Sequence, residues 1–161
     1  MTESRPVGYL LSGLPGSGKT TYSKELERKG VTRLSVDEAM NAVHGRLGKD
    51  YPAEQHLDLL PPVLAEVEQR LAELIGAGHS VVFDHGLGQR AQRDHYKQLI
   101  TDHGGTWRLI YFQIDYAELL RRNLDRNTRD QYGVITPETL AWMAEVEERP
   151  IDEGAERPDL P

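Results

Sequence analysis

Eight consecutive residues, Gly13-Leu14-Pro15-Gly16-Ser17-Gly18-Lys19-Thr20, fit the spacing G-x-x-x-x-G-K-[ST] known as Walker A. Glycines at 13, 16 and 18 let the backbone turn tightly with its N–H groups facing inward, forming a nest for anionic oxygens at a helix N-terminus. Lys19 adds a full positive charge, and the Thr20 hydroxyl could ligate a Mg²⁺ that bridges the β- and γ-phosphates of ATP. Pro15, Ser17 and Thr21 complete the residues that such a loop brings to the phosphates. A glycine-rich turn ahead of an amphipathic helix would explain the glycines alone and leave Lys19-Thr20 as coincidence.

Transfer of a γ-phosphoryl group asks a protein mainly for positioning and charge neutralisation, with a base to orient the acceptor and mobile arginines to close over the phosphates. Asp37 could accept a hydrogen bond, and then the proton, from an acceptor hydroxyl; the same residue type would equally serve as a helix N-cap. Asp84, ending Val81-Val82-Phe83-Asp84, has the setting of a Walker B carboxylate that holds Mg²⁺ or a substrate group, with a turn aspartate as the alternative. Both rank above Asp115. Arg122 and Arg126 are four apart, share a helix face and could act as a lid joined by Arg129. The alternative is a solvated basic face paired with Asp125 and Asp130. Arg90 and Arg93 are weaker candidates, and His85, beside Asp84, could touch substrate. No His, Asp or Glu cluster has zinc-ligand spacing. Asn127-Thr128-Arg129-Asp130 imitates the guanine-reading N-K-x-D, but its lysine is replaced and it ends a helix, so it leaves base preference open.

These residues need a scaffold, and the chain supplies one in alternating segments. Short apolar stretches at Val7 to Ser12, Val31 to Val36, His79 to Asp84 and Trp107 to Ile114 predict strands, the first of them central. Between them, Thr20 to Lys29, Asp37 to His44 and Gly86 to His103 carry helical patterns, the last beginning with a loop. Leu57 to Ile75 keeps helical spacing but is interrupted by Pro61-Pro62, which predicts one helix to about residue 60 and another from Pro62. Tyr116 to Asn127 predicts a helix with Leu119, Leu120 and Leu124 inward, and Thr136-Pro137 starts a last one running to about Glu148. Gly45 to Pro52 predicts a mobile loop near the ligand. The whole implies an α/β, three-layer P-loop NTPase fold: a short parallel sheet flanked by helices, with a helical arginine lid and the ligand at the strands' C-terminal edge. One domain covers residues 1–149, and the acidic, proline-rich tail of 150–161 is expected to fray or lie on the surface.

The chain has 161 residues, 38% hydrophobic and 28% charged, with no cysteine, which excludes disulfide scaffolds and thiolate metal sites and fits a cytoplasmic globular protein. No leader-like or bilayer-length apolar run is present, so no membrane role is expected. The net charge of −7 repels polyanions, so nucleic acid is disfavoured as a partner and a small-molecule hydroxyl substrate is favoured. Nothing in the sequence sets an oligomeric state.

The Gly13–Thr20 loop, Leu34-Ser35-Val36-Asp37, Val81-Val82-Phe83-Asp84 before an arginine-bearing helix, and Leu119-Leu120-Arg121-Arg122-Asn123 running to Arg126-Asn127 together resemble a known family. It is that of the small P-loop kinases grouped with polynucleotide-kinase-like, chloramphenicol-phosphotransferase-like and zeta-toxin-like ATP-binding proteins. The resemblance covers most of the chain. It implies an ATP- and Mg²⁺-dependent kinase in which Asp37 is the general base and Arg122 and Arg126 contact the ATP phosphates. Polynucleotide 5′-hydroxyl kinases of that family tend to carry an arginine shortly after the catalytic aspartate, whereas Met40 and Asn41 stand here. A polynucleotide or nucleoside kinase, and a slow ATPase acting as a regulatory module, are the competing readings.

Overall fold

The computed structural model describes residues 4–129 and 134–158. Five strands, β1 (Val7–Ser12), β2 (Thr32–Ser35), β3 (Val81–Asp84), β4 (Thr106–Tyr111) and β5 (Ala155–Glu156), form one sheet in the order β2-β3-β1-β4-β5. All four pairings are parallel, so β1 lies in the middle with the glycine loop at its C-terminal edge. Parallel neighbours require crossovers, which helices supply: α1 (Lys19–Arg28), α2 (Val36–His44), α3 (His56–Gly76), α4 (Arg90–Asp102), α5 (Tyr116–Arg129) and α6 (Pro137–Val146).

Successive strand side chains point to opposite faces, and each face is covered. Leu10, Phe83 and Leu109 pack with Leu71 and Ile75 of α3 and Ile100 of α4. Leu11, Val82 and Ile110 pack with Tyr22 of α1 and with Phe112. The near-continuous apolar runs that predicted strands are therefore a consequence of burial on both sides. The predicted three-layer α/β fold is the one observed.

Three local expectations are corrected. The helix predicted to restart at Pro62 is one continuous helix, α3, with Pro61 and Pro62 inside it. Proline removes the N–H groups that would bond the carbonyls of Leu57 and Asp58, and because both of those residues are exposed, water can satisfy the carbonyls. On α5, Leu124 is 48% exposed, and Asn123 is buried in its place. The tail expectation is corrected in part: residues 150–158 lie on the surface rather than fraying, but Glu153 is buried against α4 and β5 extends the sheet beside β4.

Candidate active site

Gly16 and Gly18 adopt φ of +85° and +106°, a left-handed backbone that other residues resist, and Gly18 starts α1 from that conformation. Helix α5 lies on the loop. Asn123 Nδ2 donates to the Pro15 carbonyl at 2.8 Å and Arg122 Nη1 to the Gly16 carbonyl at 3.1 Å. This contact is close enough that a Cβ on Gly16 would stand 2.9 Å from Asn123 Nδ2. Lys19 Nζ donates to the Gly13 carbonyl. Burial pushes the Lys19 ammonium below its usual range; Asp84 and then Asp37 pull it back up, while Arg126 opposes them.

The residues fit a nucleotide and its cation. Ser17 Oγ is buried inside the loop with no hydrogen-bond partner among the described residues, as expected of a hydroxyl that a phosphate oxygen would meet. Thr20 Oγ1 donates to Asp84 Oδ2 at 3.2 Å, which joins a hydroxyl and a carboxylate, the hard oxygen donors that Mg²⁺ prefers. Among the described residues no three His, Asp or Glu side chains form an all-protein cage, so a Mg²⁺ here would share its coordination with phosphate oxygens. The other predicted loop residues, Gly13, Lys19 and Thr21, occupy the turn and the first turn of α1.

Asp84 is buried and heavily engaged, which a turn aspartate would not require. Its Oδ2 also receives Ser23 Oγ at 3.0 Å and Arg33 Nη2 at 3.1 Å. Arg33, whose side chain is 5% exposed, continues to Ser23 Oγ at 2.7 Å and to Glu38 at 2.8 Å. Sequence reading missed this guanidinium. Its signal was a charged residue inside a strand flanked by Val31 and Val36, and the sheet sets it beside β3: Arg33 registers with Val82 and Ser35 with Asp84.

Asp37 lies in the first turn of α2, but the N-cap is Ser35, whose Oγ accepts from the Glu38 N–H at 3.2 Å. The capping alternative for Asp37 therefore falls away. Its exposed carboxylate lines a cavity of about 30 Å³ with Met40, Asn41, Tyr51, His56 and Arg126 among its walls. The Gly45–Pro52 loop contributes Gly45, Leu47 and Tyr51 to that wall. Tyr51 stacks on His56 with the rings 8° apart, and its hydroxyl is hydrogen-bonded to His56 Nδ1 at 2.8 Å. Burial lowers the affinity of His56 and His85 for a proton, and Asp37 opposes it in both. His85 lies at the edge of the Phe83 ring and feels Lys19 and Asp84 as well. Neither Tyr51 nor His56 carried a motif: Tyr51 was covered only by the expectation that the Gly45–Pro52 loop lies near the ligand, and His56 only by its place just after that loop.

The arginines divide. Arg126 lines the Asp37 cavity, and Arg122 reaches the glycine loop while pairing with Glu118 at 3.0 Å. Two arginines, Arg121 and Arg122, hold the Glu118 carboxyl down at about 2. Arg129 pairs with Asp125 on the exposed side, as the solvated-face alternative expected, and Asp130 lies outside the described residues. Arg90 pairs with Asp94 at the surface and Arg93 is fully buried, so neither is placed to close over phosphates. Asp115 lines a second cavity, of about 320 Å³, with Leu14 of the glycine loop, Tyr116 and Glu147.

A family model described as an AAA domain matches residues 9–150, from within β1 to just past α6. The chain belongs to this family. Among curated proteins, none matches the sequence. Solved structures share the AAA-domain protein's fold at low identity. A gluconokinase from Sinorhizobium meliloti 1021 superposes with a TM-score of 0.63 at 17% identity, covering 99% of this chain and 86% of that one. An APS kinase from Mycobacterium tuberculosis, in complex with AMPPNP and APS, gives 0.62 at 18% identity, with coverages of 99% and 92%. The Pnkp1/Rnl/Hen1 RNA repair complex gives 0.69 at 19% identity over 91% of this chain, which spans only 48% of that chain. The P-loop resemblance is borne out in the fold, and the family shown is that of the AAA domain. The exclusion of nucleic acid, argued from net charge, gains no support from a set of neighbours that includes an RNA repair complex. No helix of the described residues is long and apolar enough to cross a membrane.

Proposed function

We propose that this AAA-domain protein is an ATP- and Mg²⁺-dependent kinase that moves the γ-phosphoryl group of ATP to a hydroxyl of a small molecule. Asp37 carries the reading. It is a carboxylate freed from capping by Ser35, on the wall of a cavity shared with Arg126 and electrostatically coupled to Lys19. In the reaction the acceptor oxygen forms a bond to the γ-phosphorus, the bond to the β,γ-bridging oxygen breaks, ADP departs, and the hydroxyl proton passes to Asp37. The loop amides and Lys19 hold the phosphates, and Arg122 and Arg126 neutralise charge from the lid side. Bound near Thr20 and Asp84, Mg²⁺ would supply further charge neutralisation at the β- and γ-oxygens.

The mixed lining of this cavity, Asn41, Tyr51 and His56 beside Met40, Leu47 and Ile135, supports an acceptor that combines hydroxyl groups with an apolar side. Met40 and Asn41, where polynucleotide kinases of the resembling family tend to carry an arginine, support the same choice. Replacing Asp37 by Asn should lower phosphoryl transfer at least ~100-fold while calorimetric ATP binding is retained. Near-normal turnover in that variant would remove Asp37 as the base. The likeness to the RNA repair complex keeps a 5′-hydroxyl oligonucleotide as the second acceptor to assay with labelled ATP, and robust labelling would replace the small-molecule reading. Hydrolysis that no acceptor accelerates would instead indicate the regulatory ATPase.

A further inference from the structure

Arg93 has no exposed surface, and neither has Ser12, the last residue of β1 before the glycine loop. A buried guanidinium persists only where its donors are met. Arg93 Nε and Nη2 donate to the two oxygens of Glu153 at 2.9 and 2.8 Å, a bidentate pair. Its third arm, Nη1, donates to the Leu87 carbonyl at 3.0 Å, and the same carbonyl accepts Ser12 Oγ at 2.8 Å. A continuous polar chain thus runs from the C-terminal segment through Arg93 and Leu87 to the residue that launches the loop.

The segment around Leu87 touches the phosphate site directly. A Cβ on Gly86 would meet the Gly13 carbonyl at 3.4 Å and Lys19 Nζ at 3.5 Å. The end of α6 fastens to the same segment, with the Glu148 N–H donating to the Gly88 carbonyl at 2.8 Å and Gln89 Nε2 to the Val146 carbonyl at 2.6 Å. Glu153 is itself held, because Lys97 Nζ donates to its carbonyl at 2.9 Å and lies over the Trp107 ring. Glu153 lies beyond the residues, 9–150, that the family model matches.

We propose that Arg93, anchored by Glu153, is a positioning residue for the nucleotide loop, acting through the Leu87 carbonyl and Ser12. A merely structural ion pair could be exchanged for apolar side chains of similar volume with little consequence. Here the guanidinium geometry matters, because a single ammonium cannot hold both carboxylate oxygens and the Leu87 carbonyl. The proposal rests on the nucleotide half of the function proposed above and is independent of the acceptor.

The test uses the full chain and calorimetric binding of ATP with Mg²⁺, alongside thermal melting. Arg93→Lys, which keeps the charge, and the paired Arg93→Met/Glu153→Leu, which removes both members of the buried pair and leaves Lys97 its contacts with the Glu153 carbonyl and the Trp107 ring, should each fold and weaken ATP binding roughly tenfold, the size of a typical coupling between neighbours. Ser12→Ala should weaken it by a similar factor, and combining it with Arg93→Lys should add little, since both act on one carbonyl. Wild-type ATP affinity in Arg93→Lys and in the paired variant, whatever their melting temperatures, would reduce Arg93 to a structural role. Failure of the wild-type chain to bind ATP would instead overturn the nucleotide reading and this proposal with it.

Discussion

Arg33 joins two sides of the site through one guanidinium, with Asp84 and Ser23 on the Thr20 side and Glu38, the neighbour of Asp37, on the other. Removing one partner of a buried pair strands the other, and Asp84 would keep only Thr20 and Ser23. Arg33→Met should therefore destabilise the fold by about 3 kcal/mol in urea titrations. An unchanged midpoint would mean that the two hydroxyls satisfy Asp84 by themselves. The imidazoles give a second residue-scale expectation. Burial lowers the proton affinity of His56 below its ordinary value of 6.5, so the folded chain favours the neutral ring. As pH falls through 6.5 the unfolded chain binds a proton that the folded chain refuses, and stability drops from its plateau above that value. Melting temperature should thus decline as pH falls below about 6.5, and His56→Gln should lessen that decline, leaving the part that buried His85 contributes; parallel profiles would acquit His56.

The helices show how far pattern reading reaches. Leucine spacing located α3 and α5, yet it failed where a helix meets something other than the apolar core. On α5 the surface against the glycine loop is polar, because the Pro15 carbonyl needs a donor, so Asn123 is buried and Leu124 is not. On α2, Ser35 and Asp37 both have capping chemistry, and only the backbone decides that Ser35 takes the cap. In α3 the two prolines persist in mid-helix on an exposed side, and their cost can be measured. Replacing both by Ala restores two intrahelical hydrogen bonds, partly offset by the greater freedom of the unfolded chain. The double variant should gain about 1–2 kcal/mol in chemical denaturation. A loss would show that the prolines set how the first turn of α3, with His56, meets Tyr51.

At the scale of the molecule, the loop motif and four apolar strands made the parallel sheet legible, because β1 has to be buried on both faces to present the loop at its edge. The fifth strand was not legible: two residues, Ala155 and Glu156, amid prolines and acids leave no periodicity to read. The buried Arg93–Glu153 pair was equally hidden, since the partners are 60 residues apart and each resembles a surface residue. Lys19, Thr20, Asp84 and Arg122 meet only when the sheet is assembled, so nucleotide binding should report on the whole fold. A ligand that binds only the folded chain stabilises it by about 2.7 kcal/mol at a hundred times its Kd. For a chain of this size that corresponds to a rise in Tm of about 5–10 °C. ATP with Mg²⁺ should produce that shift, excess EDTA should shrink it, and Lys19→Ala should abolish it without lowering the ligand-free Tm by a comparable amount. The last condition follows from the buried ammonium, whose removal relieves a desolvation cost while deleting a phosphate contact. If saturating ATP leaves the wild-type Tm unmoved, the loop does not bind nucleotide in this chain.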